Sequence, residues 1–436
     1  MNAAHELKSR DAYLGKLTAL QDTDPVKVVT GIRRCGKSSL LELMMRHLRQ
    51  SGIGDEQILH MNFESHDFMS LDCESFYKYV RDHAAKGKRT YLFFDELQHV
   101  EGWEKAVNAF RVDLDCDIYI TGSNSRMLSS EYATALSGRC VEVKMLPLSF
   151  SEFLSFHGFE VQEENSLGVT RKTAVGPDGL RHDPRELFDA YLRFGGMPGI
   201  VELGFDLAFA MDVLDGICSS VVLKDIVERE NLRGQKQISD PILLEKIVAF
   251  LADNIGSSVS ASSIGNTLSD EGLLSSSKRI PGAHTTLSYL SALKEACLFY
   301  EIKRFDIKGK EFLRTLSKYY IADIGLRNCI LGFRNRDTGH VLENIVYFEL
   351  LRRGYDVAVG KIGDQEIDFI ATSAQERLYV QVTETMGSEE VRRRELAPLQ
   401  RIRDNYEKII LSPNPGLESS YEGIKSLNLI DWLLEG

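Results

Sequence analysis

A glycine-bearing loop near the start of the chain, Gly31-Ile-Arg-Arg-Cys-Gly-Lys-Ser38, has the residue types and spacing of a phosphate-binding loop. It matches the pattern G-x-x-x-x-G-K-[ST] and follows the apolar run Val26–Thr30. Glycines in this pattern let backbone N–H groups turn toward phosphate oxygens, and the following helix points its positive N-terminus at the same anion. We therefore predict a nucleotide-binding loop formed by Gly31, Ile32, Arg33, Arg34, Cys35, Gly36, Lys37, Ser38 and Ser39.

A second segment, the apolar run Tyr91-Leu-Phe-Phe, ends in the carboxylates of Asp95 and Glu96, as in a Walker B motif. Unpaired carboxylates are costly at the end of a strand that is buried on both faces, so a function is favoured over a solvated strand end. In such a site Asp95 holds Mg²⁺ through water, and Glu96 orients or deprotonates the attacking water. Lys37 is expected to reach the β- and γ-phosphates of ATP, and the Ser38 hydroxyl to bind Mg²⁺. These residues predict an Mg²⁺-dependent ATPase.

Three further polar side chains are candidates for the same site. Asn124 follows the next apolar run and could sense the γ-phosphate, or it could cap a helix that begins near Arg126. Arg139 could offset charge on the transferred phosphoryl group, in cis or from a neighbouring subunit, or it could be an ordinary surface arginine. Gln98, three residues after Asp95, could also contact the site.

A parallel sheet is needed to bring these residues together. Short apolar runs alternate with amphipathic stretches from Pro25 onward, which predicts an α/β fold whose parallel sheet is covered by helices on both faces. The spacing predicts strands at Val26–Thr30, Ile58–Phe63, Tyr91–Asp95, Ile118–Thr121 and Val141–Met145. It predicts helices at Ser38–Arg49, Ser75–Ala85 and Trp103–Asp113.

The composition limits the class of protein. With 436 residues the chain exceeds the roughly 100 to 200 residues of a typical domain, so several domains are expected. Seven scattered cysteines without a C-x-x-C pair argue against disulfides or a zinc site and favour the cytoplasm. The N-terminus lacks the apolar core of a signal peptide, and no run of about 18 apolar residues predicts a membrane span. A net charge of −12 argues against a uniformly basic surface, although a local basic patch stays open.

Several motifs together resemble one bacterial and archaeal family. They include Phe-Phe-Asp-Glu-Leu-Gln, Ile-Thr-Gly-Ser-Asn-Ser, Leu146–Phe153, Phe194–Gly199 and Leu342–Tyr347. Over nearly its whole length the chain is similar to the AAA-type ATPases that carry a C-terminal domain of unknown function, the AAA_14 and DUF4143 pair. This resemblance implies no known substrate. It implies an ASCE-type P-loop fold with Lys37, Ser38, Asp95, Glu96 and Asn124 at the expected site positions.

In the middle of the chain, the residue pattern predicts helices over residues 149–236, interrupted by an exposed polar insertion at Gln162–Asp183. These helices are expected to form a lid over the nucleotide, and Phe194–Gly199 could be a hinge or a plain turn. Residues 240–327 predict three helices and a hairpin, the layout of a winged helix-turn-helix. Residues 278–318 hold nine Lys or Arg against four Asp or Glu, which leaves DNA contact and an inert packing module as alternatives.

The last hundred residues resemble a PD-(D/E)xK nuclease fold whose catalytic set is partly missing. Glu343 and Asp368 match the carboxylates that hold Mg²⁺ in such a site. The strand that should carry E-x-K is Tyr379-Val-Gln-Val-Thr383, in which the glutamine is a neutral ligand at best and the threonine lacks the lysine's charge. Glu384 would point to the opposite face of the strand. We expect a degenerate nuclease fold used for binding or assembly, with active cleavage as the alternative.

Four segments are therefore predicted: an AAA-type P-loop ATPase domain at 1–150, a helical lid or linker at 151–237, a winged-helix domain at 238–332, and a restriction-endonuclease-like α/β domain at 333–436. The favoured function is an Mg²⁺-dependent ATPase switch that repositions the winged helix and the nuclease-like domain relative to each other and acts on DNA or a protein partner. The alternatives are an ATP-gated, metal-dependent nuclease and a DNA-binding regulator with ATP as effector. Action of Arg139 in trans would favour a homo-oligomer.

Overall fold

The computed structural model divides the chain into two units. The first comprises residues 1–146 with the short segment 295–297, and the second comprises residues 147–294 and 298–436. Within the part of the chain that the structure describes, no helix is long and apolar enough to cross a membrane. The described residues are 7–122, 138–166, 169–204, 207–219, 226–227, 238, 240–270, 282–312, 316–334, 338–416 and 418–435.

A five-stranded parallel sheet forms the centre of the first unit. Its strands are β1 (Val26–Thr30), β2 (Ile58–Asn62), β3 (Thr90–Asp95), β4 (Cys116–Gly122) and β5 (Cys140–Lys144). They lie in the order β2-β3-β4-β1-β5, and each neighbouring pair is parallel. This arrangement confirms the predicted α/β fold with a parallel sheet. The helices are α1 (Asp11–Ala19), α2 (Lys37–Gln50), α3 (Cys73–His83) and α4 (Trp103–Asp113).

Strands β1 and β3 are buried along their whole length. Phe94 of β3 packs against Phe76 of α3 and Phe110 of α4, with ring centroids 4.9 and 5.9 Å apart. Lys27 of β1 is also buried, and its ammonium group lies 2.5 Å from the carboxylate of Asp117. A strand covered on both faces accommodates polar groups where they are paired or where the strand ends. Polar side chains that take part in chemistry can therefore lie at the carboxyl edge of this sheet.

The second unit begins with helices and a small antiparallel sheet. The helix α5 (Phe150–Phe156) starts at a capping box in which Ser149 and Glu152 each accept the other's backbone N–H. The polar insertion predicted at Gln162–Asp183 interrupts the helices and is largely β-structure. It contains Val and Thr residues, which favour strand pairing. The elements are β6 (Glu160–Ser166), β7 (Val169–Val175), β8 (Arg181–His182), α6 (Pro184–Phe194), a 3₁₀ helix at Pro198–Leu203 and α7 (Leu207–Ser219).

The remaining elements alternate between helices and two sheets. The first sheet has the order β10-β13-β9, and the second has the order β12-β11-β14-β15-β16-β17-β19-β18. The helices are α8 (Pro241–Asp253), α9 (Ala261–Asp270), α10 (Ala283–Glu295), α11 (Ile324–Leu331), α12 (Thr338–Arg352), α13 (Glu389–Gln400) and α14 (Leu429–Leu433). The strands are β9 (Ser258–Val259), β10 (Phe299–Ile302), β11 (Arg304–Asp306), β12 (Glu311–Phe312), β13 (Ser317–Ile321), β14 (Asp356–Ile362), β15 (Gln365–Thr372), β16 (Arg377–Val382), β17 (Glu407–Ser412), β18 (Ser420–Tyr421) and β19 (Ile424–Asn428).

The hairpin predicted at Leu298–Phe305 and Phe312–Ile321 is divided between two sheets: β10 pairs with β13 in the three-stranded sheet, whereas β11 and β12 belong to the eight-stranded C-terminal sheet. Strand β11 pairs in parallel with β14, with Arg304 opposite Val359, and β12 pairs with β11 on the other side. Main-chain hydrogen bonds thus join residues 238–332 to residues 333–436. This pairing opposes the prediction that the two segments move relative to each other.

The connection Phe194–Gly199 is a closely packed turn. The N–H of Gly196 donates to Asp323 Oδ2 at 2.6 Å, and a Cβ atom on Gly196 would lie 2.3 Å from the carbonyl oxygen of Leu148. The side-chain amide of Asn328 donates to two carbonyl groups in the last turn of α6, both at 2.9 Å. These contacts hold the turn against the start of α11, which favours a fixed turn over a hinge.

We expect Gly196→Ala to destabilise the second unit by about 1–3 kcal/mol, because the new methyl group meets a backbone carbonyl that cannot move away alone. Gly199→Ala is the matched control, since no heavy atom lies within 4 Å of a Cβ atom built on Gly199. Urea denaturation of the two variants measures the difference. Equal unfolding midpoints for both variants would contradict a packed turn at Gly196.

Candidate nucleotide-binding site

The predicted phosphate-binding loop joins β1 to α2. Gly31 and Gly36 have φ angles of +152° and +101°, and α2 begins at Lys37 directly after Gly36. A Cβ atom on Gly31 would lie 2.1 Å from the carbonyl oxygen of Met145, so glycine is required there. The first turn of a helix has N–H groups without an intrahelical acceptor, and these groups suit phosphate oxygens. The loop and the start of α2 therefore form an anion-binding concavity.

Lys37 lies against the inside of this loop, with its side chain 3% exposed. Its ammonium group donates to the carbonyl oxygens of Gly31 at 3.1 Å and of Ile32 at 3.3 Å. A carboxylate oxygen of Glu96 lies 3.8 Å from it. Neutral carbonyl groups are weaker partners for an ammonium than phosphate oxygens, so a bound phosphate can compete for the lysine.

Asp95 ends β3, and hydrogen-bond donors hold both of its carboxylate oxygens. The hydroxyl of Thr121, in β4, donates to Oδ1. The side-chain amide of Asn62, which ends β2, donates to Oδ2 at 3.3 Å. Asp95 is only 1% exposed. These contacts fix the orientation of a carboxylate that lies at the carboxyl edge of the sheet.

Glu96 makes three contacts within the site, and its backbone is strained. Its φ angle is +54°, in the left-handed region that a non-glycine residue rarely adopts. Its N–H donates to the Thr121 hydroxyl oxygen at 2.9 Å, and the side-chain amide of Gln98 donates to its carboxylate. Its other carboxylate oxygen faces Lys37. The structure thus brings Gln98 to the site and turns Glu96 toward the phosphate-binding loop.

A cavity of about 500 Å³ adjoins these residues, and Ser38, Asn62 and Asp95 are among the side chains that line it. Hydroxyl, amide and carboxylate oxygens are the donors that Mg²⁺ prefers. No group of three or more His, Cys, Asp or Glu in the described part of the chain is arranged to hold a metal. Mg²⁺ usually binds through one or two protein ligands together with substrate phosphates and water, so the donor set fits Mg²⁺ bound with a nucleotide.

Arg10 is a site-supporting residue that the sequence analysis missed. It is 3% exposed, and its guanidinium donates to the carbonyl oxygens of Cys35 at 3.2 Å and Leu146 at 2.8 Å. Tyr13 reinforces this contact, since its hydroxyl oxygen accepts the N–H of Leu146 at 3.1 Å. Burial raises the pKa of the Cys35 thiol, so Cys35 is a packing residue of the loop.

Of the predicted catalytic residues Asn124 and Arg139, the structure describes only Arg139. Asn124 lies outside the described residues. Arg139 is exposed and directly precedes β5, where its carbonyl oxygen accepts the N–H of Val26 at 2.9 Å. Because β5 and β1 are parallel, this is the amino edge of the sheet, opposite the edge where the phosphate-binding loop follows Thr30. Arg139 therefore lies away from the phosphate-binding loop of its own chain, and a role from a neighbouring subunit and a role as an ordinary surface arginine both stay open.

The predicted DNA-contacting segment, residues 278–318, uses part of its positive charge in ion pairs. The third helix of the winged-helix layout, α10, would be the helix that reads DNA, and it contains no arginine. Lys303, Lys308 and Lys310 are exposed in or beside the β11–β12 hairpin. Three other basic residues pair internally: Lys294 with Glu301 at 2.6 Å, Arg304 with Glu366 at 3.6 Å, and Lys318 with Glu366 at 2.7 Å. Lys278, Arg279 and Arg314 lie outside the described residues.

Family models match two parts of the chain. Residues 23–154 match the AAA domain AAA_14, which includes the phosphate-binding loop, Asp95 and Glu96. Residues 185–337 match a domain of unknown function, DUF8612, in place of the DUF4143 domain that the resemblance implied.

Known proteins resemble the chain over most of its length. An uncharacterized protein of Haemophilus influenzae is 40% identical over 430 residues, which are 98% of each chain. An uncharacterized protein of Methanocaldococcus jannaschii is 29% identical over 402 residues, 90% of this chain and 83% of that protein. The solved structure of a Walker-type ATPase of Pyrococcus abyssi shares 17% identity and a TM-score of 0.46, over 74% of this chain and 95% of that one. That last likeness is too distant to inform on function.

We expect Thr121→Val to lower the rate of ATP hydrolysis by roughly ten-fold or more with little change in ATP affinity. The valine keeps the side-chain shape but removes hydrogen bonds to Asp95 and Glu96, and bonds to charged groups are worth about 1.5–3 kcal/mol. Steady-state kinetics with separate kcat and KM values provide the measurement. Thr90→Val removes a hydrogen bond at the opposite end of β3 and is the matched control. Equal kcat values for the two variants would exclude this role of Thr121.

Proposed function

This chain belongs to the same family as the Haemophilus influenzae protein and carries an AAA domain, and on that premise we propose that it is an Mg²⁺-dependent ATPase that acts as a molecular switch. The convergence of Lys37, Asp95 and Glu96 at one edge of the parallel sheet carries this proposal. These residues come from separate parts of the chain, yet the Lys37 ammonium lies 3.8 Å from the Glu96 carboxylate. An arrangement of a loop, a lysine and two carboxylates serves phosphoryl transfer through positioning and electrostatics.

The roles of the individual side chains follow from their contacts. Lys37 leaves the two loop carbonyls when it binds the β- and γ-phosphates of ATP. Ser38 and the fixed carboxylate of Asp95 would hold Mg²⁺, which would neutralise charge on the phosphates. Glu96, oriented by Gln98 and Thr121, accepts a proton from the attacking water or aligns it.

We assign the output of the switch to the second unit. The three helices α8, α9 and α10 with the β10-β13-β9 sheet support a winged-helix fold within residues 238–332, preceded by a lid or linker at 151–237. The sheet that contains β14 to β17, flanked by α12 and α13, supports a nuclease-like fold within residues 333–436. Because β11 and β14 are paired, both folds respond to ATP as one body.

The partner of this switch is DNA or another protein. The exposed lysines of the β11–β12 hairpin favour DNA, while the arginine-free helix α10 and the internal ion pairs of Lys294, Arg304 and Lys318 favour a protein. Arg139 at the amino edge of the sheet would complete the site of a neighbouring copy, which makes a homo-oligomer part of the proposal.

We expect Glu96→Gln to hydrolyse ATP at least about one hundred-fold more slowly than the wild type and to bind ATP normally, because the amide cannot accept the proton of the attacking water. Release of inorganic phosphate measures the rate. Glu101→Gln makes the same substitution at an exposed position of the adjacent turn and should keep the wild-type rate. Hydrolysis by Glu96→Gln at the wild-type rate would contradict the proposed role of Glu96.

The same assay distinguishes the two classes of partner. Single- and double-stranded DNA are added to the wild type and to Glu96→Gln over a series of salt concentrations. Stimulation of the wild type that weakens with salt supports a DNA partner, since phosphate contacts are salt-dependent. A rate that DNA leaves unchanged supports a protein partner.

A further inference from the structure

The residues that the nuclease resemblance assigns to a metal lie together in the second unit. Glu343 on α12, Asp368 on β15 and Gln381 on β16 line one cavity of about 630 Å³, and each is at least nine-tenths buried. A divalent cation in such a fold needs converging carboxylate oxygens and an open position for water. Within the described ranges, however, no three His, Cys, Asp or Glu side chains are arranged to hold a metal.

A lysine from a distant part of the sequence lies among these carboxylates. Lys318 on β13 is 4% exposed, and its ammonium group lies 2.7 Å from Glu366 Oε1 and 3.5 Å from Glu343 Oε2. Tyr320 follows two residues later on the same strand face, and its hydroxyl donates to the same Glu343 oxygen at 2.8 Å. Burial alone would lower the pKa of Lys318, but the surrounding carboxylates, with Glu343 first, raise it above its ordinary value. Lys318 therefore stays charged.

Other protein groups contact further oxygens of the cavity wall. Asp368 Oδ2 accepts the N–H of Val382 at 2.8 Å. The side-chain amide of Gln381, at the position where a nuclease has a carboxylate ligand, donates to Glu395 at 3.0 Å. Arg394 donates to the other oxygen of Glu395 at 2.7 Å. Paired side chains thus line the cavity, and while Lys318 occupies Glu343 and Glu366 the donor set does not fit a divalent cation.

We propose that the Lys318 ammonium is the resident cation of this carboxylate cluster, and that the cleft is a metal-independent joint between β13 and the C-terminal sheet. The ammonium lies between Glu343 and Glu366 and compensates their charges without a metal. A divalent ion between Glu343 and Glu366 would have to displace this ammonium group from both carboxylates.

Neighbouring contacts support the assignment of a joint. The side-chain amide of Asn344, adjacent to Glu343, bonds both backbone groups of Ile321 at 2.9 Å. The ring of Tyr320 stacks on Tyr347, with centroids 5.0 Å apart. Polar bonds, an ion pair and ring packing therefore fasten β13 to α12. This joint lies close to the β11–β14 pairing and makes the same two segments move together.

The experiment measures Mn²⁺ binding to the full chain carrying Asp95→Asn, which removes the metal carboxylate of the nucleotide site. Without nucleotide, electron paramagnetic resonance of unbound Mn²⁺ should detect no occupied site up to about 1 mM, because Lys318 is in place. Adding Lys318→Met should lower the melting temperature and create a Mn²⁺ site whose occupation raises that temperature again. Lys294→Met removes the lysine of another Lys–Glu pair and should create no Mn²⁺ site.

Two results would overturn the proposal. One is a Mn²⁺ ion bound by the chain that keeps Lys318 and lost on Glu343→Gln. The other is a Lys318→Met chain that melts at the parent temperature and is indifferent to Mn²⁺. If Lys318→Met does not fold, the measurement on the chain that keeps Lys318 decides the proposal alone. Neither result depends on ATP hydrolysis, so failure here is distinguishable from failure of the proposed ATPase.

Discussion

The hydroxyl group of Thr121 fixes the two acidic residues of the proposed ATP site. Strand β4 lies between β1, which leads into the phosphate-binding loop, and β3, which ends at Asp95. Neighbouring strands are about 4.8 Å apart, so β1 and β3 are separated by roughly twice that distance, and the side chain of Lys37 reaches across to Glu96. Thr121 of β4 orients both acidic residues, because its hydroxyl group donates to Asp95 and accepts the N–H of Glu96. Burial of β1 and β3 on both faces then leaves the carboxyl edge as the place for the chemistry.

Much of the first unit could be predicted because its information is local. The glycine pattern, the apolar runs and the carboxylates at a strand end are each read within about ten residues, and the five predicted strands agree with the observed ones to within two residues at each end. Arg10 and Asn62 were missed because their partners, Leu146 and Asp95, are far away in the sequence. The sequence left the role of Arg139 open because proximity to a strand does not say which edge of the sheet the residue occupies.

In the second unit the sequence was less informative, for a different physical reason. Counting the basic residues in 278–318 assumes that every charge is exposed. Lys318, however, is buried between the carboxylates of Glu343 and Glu366, and Arg304 also pairs with Glu366. The pairing of β11 with β14 joins residues some fifty positions apart, which no local pattern predicts. Main-chain bonds between β11 and β14 and the ion pairs of Lys318 therefore connect the two segments that the sequence treats as separate.

The central claim is that Lys37, in the loop between β1 and α2, binds the phosphates of ATP. The most direct test is calorimetric titration of Mg·ATP into the wild type and into Lys37→Ala. The account predicts one ATP per chain for the wild type and an affinity at least about ten-fold weaker for the variant, because a charge-assisted contact to phosphate is lost. Equal affinities for the two proteins would contradict the assignment of this loop as the nucleotide site.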